Sequence, residues 1–321
     1  MKARHVFGPV LSRRLGVSLG IDLVPFKTCT YDCVYCECGH TTDKTIVRRH
    51  FFHAEEVIAE LDGVLATRPR LDSVTFAGSG EPTLARSLGP VIAFVKREFP
   101  EYTLSVLTNG SLLTDQEVRA ELLPADRVIP TLTTAVQDTF ERIHHPHPSL
   151  KVDEIISGIA GFSSMYPGAL WLEVFIVPRL NTTEKELAGL KSAIDLIDPD
   201  CIQINTVDRP PSEGWVEAAS QEQLERISKA LGRPCAVIGG WRHPPVKVVP
   251  AQTGSADLIR SVLLRRPSTV EDLVRITGLN GGEIVKILGR LDRSGEVTHR
   301  RMARGVFYVF RQKKDAGDKK R

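Results

Sequence analysis

Apolar and polar positions follow two periods along most of the chain. Short apolar runs, typical of buried strands, alternate with longer segments whose apolar residues recur every three or four positions, as in amphipathic helices. The predicted strands are Ser73–Ala77, Thr103–Leu107, Val128–Leu132, Leu170–Val177 and Cys201–Asn205. The predicted helices are Leu88–Phe99, a segment opened by Thr114 or Asp115, Val152–Met165 and Glu184–Ile197. This alternation predicts an α/β fold with a parallel sheet, either an open doubly wound sheet or a full or partial barrel.

A different pattern begins after a predicted domain boundary at Val246–Gly254. Ala256–Leu264 is predicted to be a helix, and capping boxes at Ser268 with Glu271 and at Asn280 with Glu283 predict two more. The segments EVTHRR and GVFYVF alternate like a hairpin with its turn near Met302–Arg304. Three helices and a hairpin predict a small winged helix-turn-helix domain over residues 255–311, and residues 312–321 are predicted to be a disordered basic tail.

Charge separates these two regions. The 321 residues carry a net charge of +3, yet 16 Lys and Arg against 8 Asp and Glu fall from Ser255 onward. An acidic body with a basic C-terminal region suggests two domains with different roles. The N-terminus has charges and prolines where a signal peptide needs an apolar run, and no apolar run is long enough to span a membrane. We therefore expect a cytoplasmic protein with reduced thiols.

Four of the six cysteines lie in the loop KTCTYDCVYCECG, residues 27–39. Cys29, Cys33 and Cys36 have the spacing C-x3-C-x2-C, and Cys38 follows. Zinc with Cys38 as fourth ligand is one interpretation, but structural zinc is usually held by two separated cysteine pairs. An iron–sulfur cube fits better, because three thiolates satisfy three irons and leave the fourth open. Cys201 and Cys235 lie far away in the sequence.

This loop resembles the cluster loop of the radical S-adenosylmethionine (SAM) superfamily, in which an aromatic residue precedes the last cysteine, as Tyr35 does here. Gly78-Ser79-Gly80-Glu81-Pro82 resembles the glycine- and glutamate-containing motif that follows the second strand in that superfamily. The resemblance covers roughly residues 5–240. It implies a partial (β/α)6 TIM-like barrel over residues 1–250, followed by the winged-helix domain.

The resemblance also implies a chemistry and its residues. In the superfamily, a reduced [4Fe–4S] cluster cleaves SAM to methionine and a 5′-deoxyadenosyl radical, which abstracts hydrogen from the substrate. The implied cluster ligands are Cys29, Cys33 and Cys36. The implied SAM contacts are Tyr35 against the adenine, the segment Gly78, Gly80 and Glu81 near the methionine amino end, and Asn109, Glu173 and Asn205 at later strand ends.

Several of these residues have a plain structural alternative. Asn109 in TNG is equally well interpreted as a turn asparagine, and Glu173 as one partner of a salt bridge inside the barrel. Asp208 and Arg209 follow the last strand and face either substrate or a rigid loop. Arg13 and Arg14 are interpreted as a solvated pair, with an anionic substrate as the alternative. The histidines of HHPHP, residues 144–148, are not expected to bind metal, because the prolines splay the side chains and no acidic cluster adjoins.

The strings FGPVLSRRLGVSLG, LEVFIVPRLNTTEKEL and IQINTVDRPP resemble the branch that includes the archaeal wyosine-type tRNA-modifying synthases. Those synthases hold a second cluster on three further cysteines, which this chain does not match, so we expect a single cluster. A tRNA or other nucleic-acid substrate is favoured, with Asn280–Leu291 as recognition helix and Arg300, Arg301 and Arg304 as wing. Flavodoxin or ferredoxin is the expected electron donor.

Two other functions remain open at this stage. In the first, the same chemistry acts on a protein or small molecule, and the winged helix is a docking module. In the second, the protein is an iron–sulfur redox sensor that binds DNA through the winged helix. The GSGEP motif argues against a sensor, which does not need a SAM-binding strand end. GSGEP is not a phosphate-binding P-loop either, because it lacks the Gly-Lys-Ser/Thr that follows.

Overall fold

The computed structural model describes residues 5–238 and 255–311. The predicted domain boundary at 246–254 and the predicted basic tail at 312–321 lie outside these residues. The strands, in chain order, are β1 (Val6–Ser12), β2 (Gly16–Ile21), β3 (Thr28–Cys29), β4 (Asp43–Lys44), β5 (Ser73–Phe76), β6 (Leu104–Thr108), β7 (Arg127–Pro130), β8 (Ala169–Ile176), β9 (Cys201–Thr206), β10 (Cys235–Val237), β11 (Val297–Met302) and β12 (Gly305–Phe310).

Eight of these strands form one sheet in the order β1-β2-β5-β6-β7-β8-β9-β10. The β1–β2 hairpin is antiparallel, and every later neighbour pair is parallel. From β2 onward the spatial order follows the chain order, so the carboxyl ends of the parallel strands and the loops that leave them lie along one edge. That edge is where parallel sheets of this kind place their functional residues.

Seven α-helices lie between strands of this sheet in the chain: α1 (Ala54–Leu65), α2 (Leu88–Glu98), α3 (Gln116–Leu122), α4 (Gln137–His144), α5 (Val152–Ser163), α6 (Glu184–Ile197) and α7 (Gln221–Leu231). Within the described residues, three more follow it, α8 (Ser255–Arg265), α9 (Val270–Thr277) and α10 (Gly281–Arg293). Helix α6 begins where the Thr183 side chain accepts from the Glu186 amide and ends at Asp198 in the left-handed region. The predicted strands and helices are confirmed to within one or two residues at most ends.

The first elements were not predicted from the sequence. The β1–β2 hairpin and α1 are both absent from the predicted elements, although Leu19 and Ile21 of β2 and Leu61 of α1 are fully buried in the main core. The hairpin contains three glycines and a proline, and such residues weaken the alternation on which strand prediction depends.

The C-terminal region consists of α8, α9, α10 and the β11–β12 hairpin, with an apolar core of its own that includes Leu263, Leu273 and Leu288. Val10 of β1 joins this core, so the region packs directly on the first hairpin. We call α8 to β12 the C-terminal module.

One predicted cap in the C-terminal module was displaced by a residue. The capping box that opens α9 is formed by Thr269 and Asp272, not by Ser268 and Glu271. Ser268 instead exchanges two backbone hydrogen bonds with Tyr308 of β12, which holds it outside the helix. At α10 half of the predicted capping box is present: the Asn280 side chain accepts from the Glu283 amide, but the Glu283 side chain does not return a bond to the Asn280 amide. Among the described helices, none is long and apolar enough to cross a membrane.

Candidate active site

The cysteine loop leaves β2 and is tied to its own base by the two-residue pair of β3 and β4. Its first residue, Lys27, is 2% exposed and lies in the left-handed region at φ 60°. The Lys27 carbonyl accepts from the Thr42 and Asp43 amides, which closes the loop into a compact unit. Tyr31 packs inside it at 2% exposure. Backbone hydrogen bonds and the packing of Tyr31 therefore hold the loop in this shape.

Two nitrogen donors from different elements face the sulfurs of this loop. The Lys27 ammonium lies 3.0 Å from Cys36 Sγ, and the Asn109 side-chain amide lies 3.6 Å from Cys29 Sγ. Asn109 follows β6, and its amide also donates to the Thr30 hydroxyl at 2.7 Å. Hydrogen bonds to cluster sulfurs are one way in which proteins tune iron–sulfur centres. Asn109, which the sequence left between a turn residue and a SAM contact, thus braces the cysteine loop.

A third nitrogen belongs to His144, the last residue of α4. Its Nδ1 lies 3.1 Å from Cys33 Sγ, and its Nε2 lies 2.7 Å from the Thr133 hydroxyl. Burial, helped by the neighbouring His145, lowers the pKa of His144 to about 3, so the ring is neutral. Neutral imidazole with its proton on Nδ1 donates to the sulfur and accepts from Thr133. No role for His144 was predicted from the sequence, and its place in the HHPHP string was the one signal that pointed to it.

The thiols differ strongly in acidity. A hydrogen bond from Cys38 and the positive charge of Lys27 lower the pKa of Cys36 to about 5, against an opposing effect of burial. Burial raises the pKa of Cys29 to about 12. Burial by itself would lower the pKa of Lys27, but the Cys36 and Cys38 sulfurs outweigh it, and the pKa lies above its ordinary value. The loop therefore pairs one buried ammonium with an easily formed thiolate.

The glycines of the segment Gly78–Glu81 allow close approach between β5 and the cysteine loop. A Cβ on Gly80 would lie 1.9 Å from the Thr28 carbonyl oxygen, and one on Gly78 would meet the Asp22 carboxyl at 2.3 Å. Backbone can approach backbone this closely only where no side chain intervenes. The Glu81 amide donates to the Thr28 carbonyl across this contact, so the predicted SAM-binding segment and the predicted cluster loop form one surface.

The Glu81 carboxylate is committed within the protein. Its Oε1 accepts from the Thr83 amide and from the Thr83 and Thr108 hydroxyls, and its Oε2 accepts from the Asn109 amide at 2.7 Å. The side chain is 2% exposed, and burial raises its pKa. Glu81 therefore joins the carboxyl ends of β5 and β6, which sets the spacing of two loops that meet the cysteines.

Glu173 and Asn205, on neighbouring strands β8 and β9, also contact each other. The Asn205 amide donates to Glu173 Oε1 at 2.8 Å, and the Thr131 hydroxyl donates to Oε2 at 2.7 Å. Arg14, from the β1–β2 turn, forms an ion pair with the same carboxylate at 2.7 Å, without the alignment of a hydrogen bond. The interpretation of Arg13 and Arg14 as a solvated pair is wrong, because the turn folds over the sheet edge and Arg14 is drawn to a buried carboxylate.

Tyr35 connects the two groups of predicted site residues. Its ring stacks on Phe175 of β8 with centroids 4.0 Å apart. Burial raises the pKa of Tyr35, and the charges of Cys33 and Glu173 add to the effect, so the phenol lies near both. The structure thus gathers all the predicted cluster and SAM residues at the carboxyl edge of the sheet, in two patches joined by Tyr35.

The C-terminal module reaches this same edge. The Cys38 thiol donates to the Arg265 carbonyl oxygen at 3.0 Å, and Arg265 Nε donates to Asp22 at 2.8 Å. Asp22 in turn accepts from the amide and hydroxyl of Ser79. The end of α8 is therefore linked both to the cysteine loop and to the segment Gly78–Glu81.

The donor set suits an iron–sulfur cube. Within residues 5–238 and 255–311, no three His, Cys, Asp or Glu side chains are gathered tightly enough to chelate one metal ion. A cube makes a different demand, because each thiolate binds its own iron and the three sulfurs need not converge on one point. Cys29, Cys33 and Cys36 each face a nitrogen group from the protein, as ligands of a negatively charged cluster require.

The chain belongs to the radical SAM superfamily, whose family model matches residues 23–190. The match begins just before the cysteine loop and ends within α6, so it includes every predicted cluster and SAM residue except Asn205. Members of this superfamily are enzymes that use a [4Fe–4S] cluster and SAM, and this chain is accordingly an enzyme of that class.

More particularly, the chain belongs with the UPF0026 proteins. It is 30% identical over 307 residues to a UPF0026 protein of Helicobacter pylori (strain J99), covering 94% of this chain and 96% of that protein. It is 34% identical over 223 residues to one from Methanocaldococcus jannaschii, covering 69% of each. A protein of Brachyspira hyodysenteriae named GTPase Obg is 34% identical over 303 residues, which are 92% of this chain but only 44% of that protein.

Solved structures support the fold. A radical SAM methyltransferase from Sphaerobacter thermophilus superposes with a TM-score of 0.54 over 69% of this chain and 66% of that one, at 13% identity. Streptococcus suis SuiB bound to S-adenosylmethionine gives a TM-score of 0.53 over 70% of this chain and 51% of that one, at 12% identity. At such identities the likeness concerns the α/β architecture alone.

Proposed function

We propose that this enzyme cleaves SAM reductively and uses the resulting radical chemistry to modify a nucleic acid such as tRNA. The observation that carries the proposal is the contact of the basic C-terminal module with the cysteine loop, through Arg265 and Cys38. A module that binds a nucleic acid there brings the strand to the edge of the sheet that holds the reactive groups.

Within this proposal, Cys29, Cys33 and Cys36 hold the cluster, and Lys27, Asn109 and His144 orient their sulfurs. When bound, the cluster and SAM together supply the 5′-deoxyadenosyl radical. The polar backbone of Gly78–Glu81 holds the methionine end of SAM, while Tyr35 contacts the adenine. Glu173 is the salt-bridge partner of Arg14, and Asn205 beside it is the proposed contact of a ribose hydroxyl. A single cluster is expected, and flavodoxin or ferredoxin would supply the electron.

The sheet itself is proposed to curve into a partial (β/α)6 barrel of the strands β2 and β5 to β9. Arg14 supports this proposal, because it leaves the β1–β2 turn yet reaches Glu173 on β8. In the sheet order these strands are separated by β5, β6 and β7. A side chain can bridge that distance when the sheet curls toward itself.

The C-terminal module is proposed to be a winged helix, with α10 as recognition helix and β11–β12 as wing. Lys286, Arg290 and Arg293 lie along a groove beside α10, where basic side chains suit a phosphate backbone. The three predicted wing arginines differ in their contacts. Arg301 is exposed, whereas Arg300 donates to the Pro211 carbonyl and Arg304 pairs with Asp272. The wing is therefore fastened to the loop that follows β9.

The test is anaerobic SAM cleavage by the reconstituted, reduced full chain, with 5′-deoxyadenosine as product. We expect bulk tRNA to increase its formation by wild-type protein. Cys33→Ala should lose the activity with its bound iron, whereas Cys201→Ala, far from the loop, should keep both. Equal cleavage with and without tRNA, by a protein that holds its full cluster, would contradict a tRNA substrate and favour a protein or small molecule.

A further inference from the structure

A narrow cleft lies between the sheet and the C-terminal module. Its volume is about 20 Å³, room for one or two water molecules. The polar side chains that line it are dominated by five arginines: Arg13, Arg209, Arg266, Arg275 and Arg304. They come from the β1–β2 turn, the loop after β9, the end of α8, helix α9 and the β11–β12 turn, so the cleft exists only when the module is docked.

Three of these arginines keep N–H groups without a partner among the described residues. Arg275 has no hydrogen bond or ion pair there at all. Arg209, whose side chain is 3% exposed, leaves its Nε buried and unpaired, and Arg13 leaves one Nη in the same state. A buried guanidinium N–H without an acceptor costs roughly 1–3 kcal/mol or more, so such a cluster is stable when something supplies acceptors.

The carboxylates nearby do not supply enough of them. Glu37 lies at the ion-pair limit from both Arg13 (3.7 Å) and Arg209 (3.8 Å). Asp208 and Asp272 line the cleft, and both pair with Arg304, at 3.4 Å and 3.0 Å. Asp208 also accepts from Arg209 Nη1 at 3.2 Å, so three carboxylates serve the five arginines and the Arg209 Nε is left unpaired.

Arg266 lies among these charges. Its pKa is lowered to about 9, chiefly by burial; the positive charges of Arg209 and Arg13 add to this shift, and the carboxylates of Glu37 and Asp272 oppose it. Its guanidinium donates to the Leu11 carbonyl of the first hairpin.

We propose that the cleft binds a phosphate group of the substrate. Arginine forks match phosphate oxygens through paired N–H donors, and the unpaired groups of Arg13, Arg209 and Arg275 provide donors from three directions. The small volume admits phosphate oxygens at the cleft mouth and excludes a base or a ribose. Recognition therefore depends on the backbone charge and not on the sequence of bases.

The cleft lies next to the cysteine loop. Glu37, which holds Arg13 and Arg209, stands between Cys36 and Cys38 in the cysteine loop. A phosphate held here anchors the nucleotide next to it beside the predicted cluster. The inference rests on the proposed nucleic-acid substrate for the identity of the ligand, and the cleft chemistry is shared by RNA and by free nucleotides.

The test measures the affinity of the reconstituted full chain for labelled bulk tRNA at several salt concentrations, with ATP as a second probe. Arg275→Gln removes a charge that has no partner, so the fold should be kept, and it should weaken tRNA binding about 5- to 10-fold. The slope of log K against log salt should fall by about 0.7 to 0.9, as for one lost phosphate contact. Arg13→Gln with Arg275→Gln should weaken binding further.

Arg97→Gln is the matched control, since Arg97 is exposed at the end of α2 and, within residues 5–238 and 255–311, pairs with Glu98 alone. Unchanged affinity and slope in both cleft variants, with tight wild-type binding of tRNA, would overturn the cleft assignment and leave the proposed function standing. Arginine-dependent binding of ATP without binding of tRNA would keep the cleft and reject the nucleic acid. Wild-type protein that binds neither probe would overturn both.

Discussion

The cysteine-loop region and the arginine cleft lie side by side and treat their polar groups in opposite ways. Around the loop, both carboxylate oxygens of Glu81 and the Oδ2 oxygen of Asp22 accept hydrogen bonds from donors of the protein itself. In the cleft, Arg275 and parts of Arg13 and Arg209 have no protein acceptor within the described residues. We call Glu81, Asp22 and the groups that donate to them the frame, because their hydrogen bonds lie within the protein. In the proposed function, the arginine cleft obtains its missing acceptors from the ligand.

This contrast separates stability from binding. Substitutions in the frame remove hydrogen bonds that exist in the free protein, so they should lower the free energy of unfolding. Substitution of Arg275, which has no partner among the described residues, removes no hydrogen bond or ion pair from the free protein and should act on ligand affinity alone.

Glu81→Gln should lower the free energy of unfolding by about 2–3 kcal/mol. The carboxylate accepts hydrogen bonds at both oxygens, whereas the amide has one oxygen and an NH2 group that faces the remaining donors. The Asn109 amide, 2.7 Å from Oε2, loses its acceptor if the amide nitrogen takes that position. Urea denaturation of the two proteins measures the difference. Glu98→Gln, on the exposed end of α2, is the control and should change stability by less than about 0.5 kcal/mol. A Glu81 variant as stable as wild type would show that these hydrogen bonds do not contribute to the stability of the free protein.

Arg14→Gln should cost about 1–2 kcal/mol at pH 7, since it leaves Glu173 buried without its ion-pair partner. Burial opposes the charge of Glu173, but Arg14, Thr131 and Asn205 outweigh it and lower the pKa of the carboxyl. A carboxyl whose pKa is lowered in the folded protein stabilises the fold at any pH above its unfolded-state pKa of about 4.3. That stabilisation is lost as the pH falls through the lower pKa of the folded state.

The difference between wild type and Arg14→Gln should therefore shrink below about pH 4. Denaturation curves between pH 7 and pH 3 measure it, with Arg179→Gln, an exposed arginine near Glu217, as the control. A difference that stays constant over this range would show that Arg14 acts by packing and not by charge.

Arg275→Gln should leave the free energy of unfolding within about 0.5 kcal/mol of wild type, although the same variant is expected to weaken tRNA binding. The physical reason is that Arg275 has no partner to lose among the described residues. Thermal and urea denaturation of the variant measure this directly. A loss above 1 kcal/mol would mean that the arginine stabilises the docked module, and the contrast between frame and cleft would fail.

How far the sequence predicts the structure depends on how far apart the interacting residues lie. Local patterns sufficed for β8, α6 and the β11–β12 hairpin, where period and turn chemistry act within a few residues. They failed at the α9 cap, because Ser268 and Thr269 are both good capping residues. The choice between them was made by Tyr308, which pairs with Ser268 from a distant strand.

The same distinction applies to the site. The cysteine spacing and the GSGEP segment were readable because each is one short stretch of chain. His144 was not, since its role depends on α4 ending 3.1 Å from Cys33. Glu173 was left open between ribose and salt bridge until Arg14, far from it in sequence, proved to be its partner.

By itself, the sequence determined the α/β class, most helix and strand positions, the cluster motif and the excess of positive charge after Ser255. The grouping of the arginines into a site depends on the tertiary structure, because Arg13, Arg209 and Arg275 come from three separate parts of the chain to line one cleft. Periodicity and motif spacing act over a few residues, whereas electrostatic interactions depend on distance in space. The pairing of buried charges therefore emerges only when the module docks on the sheet.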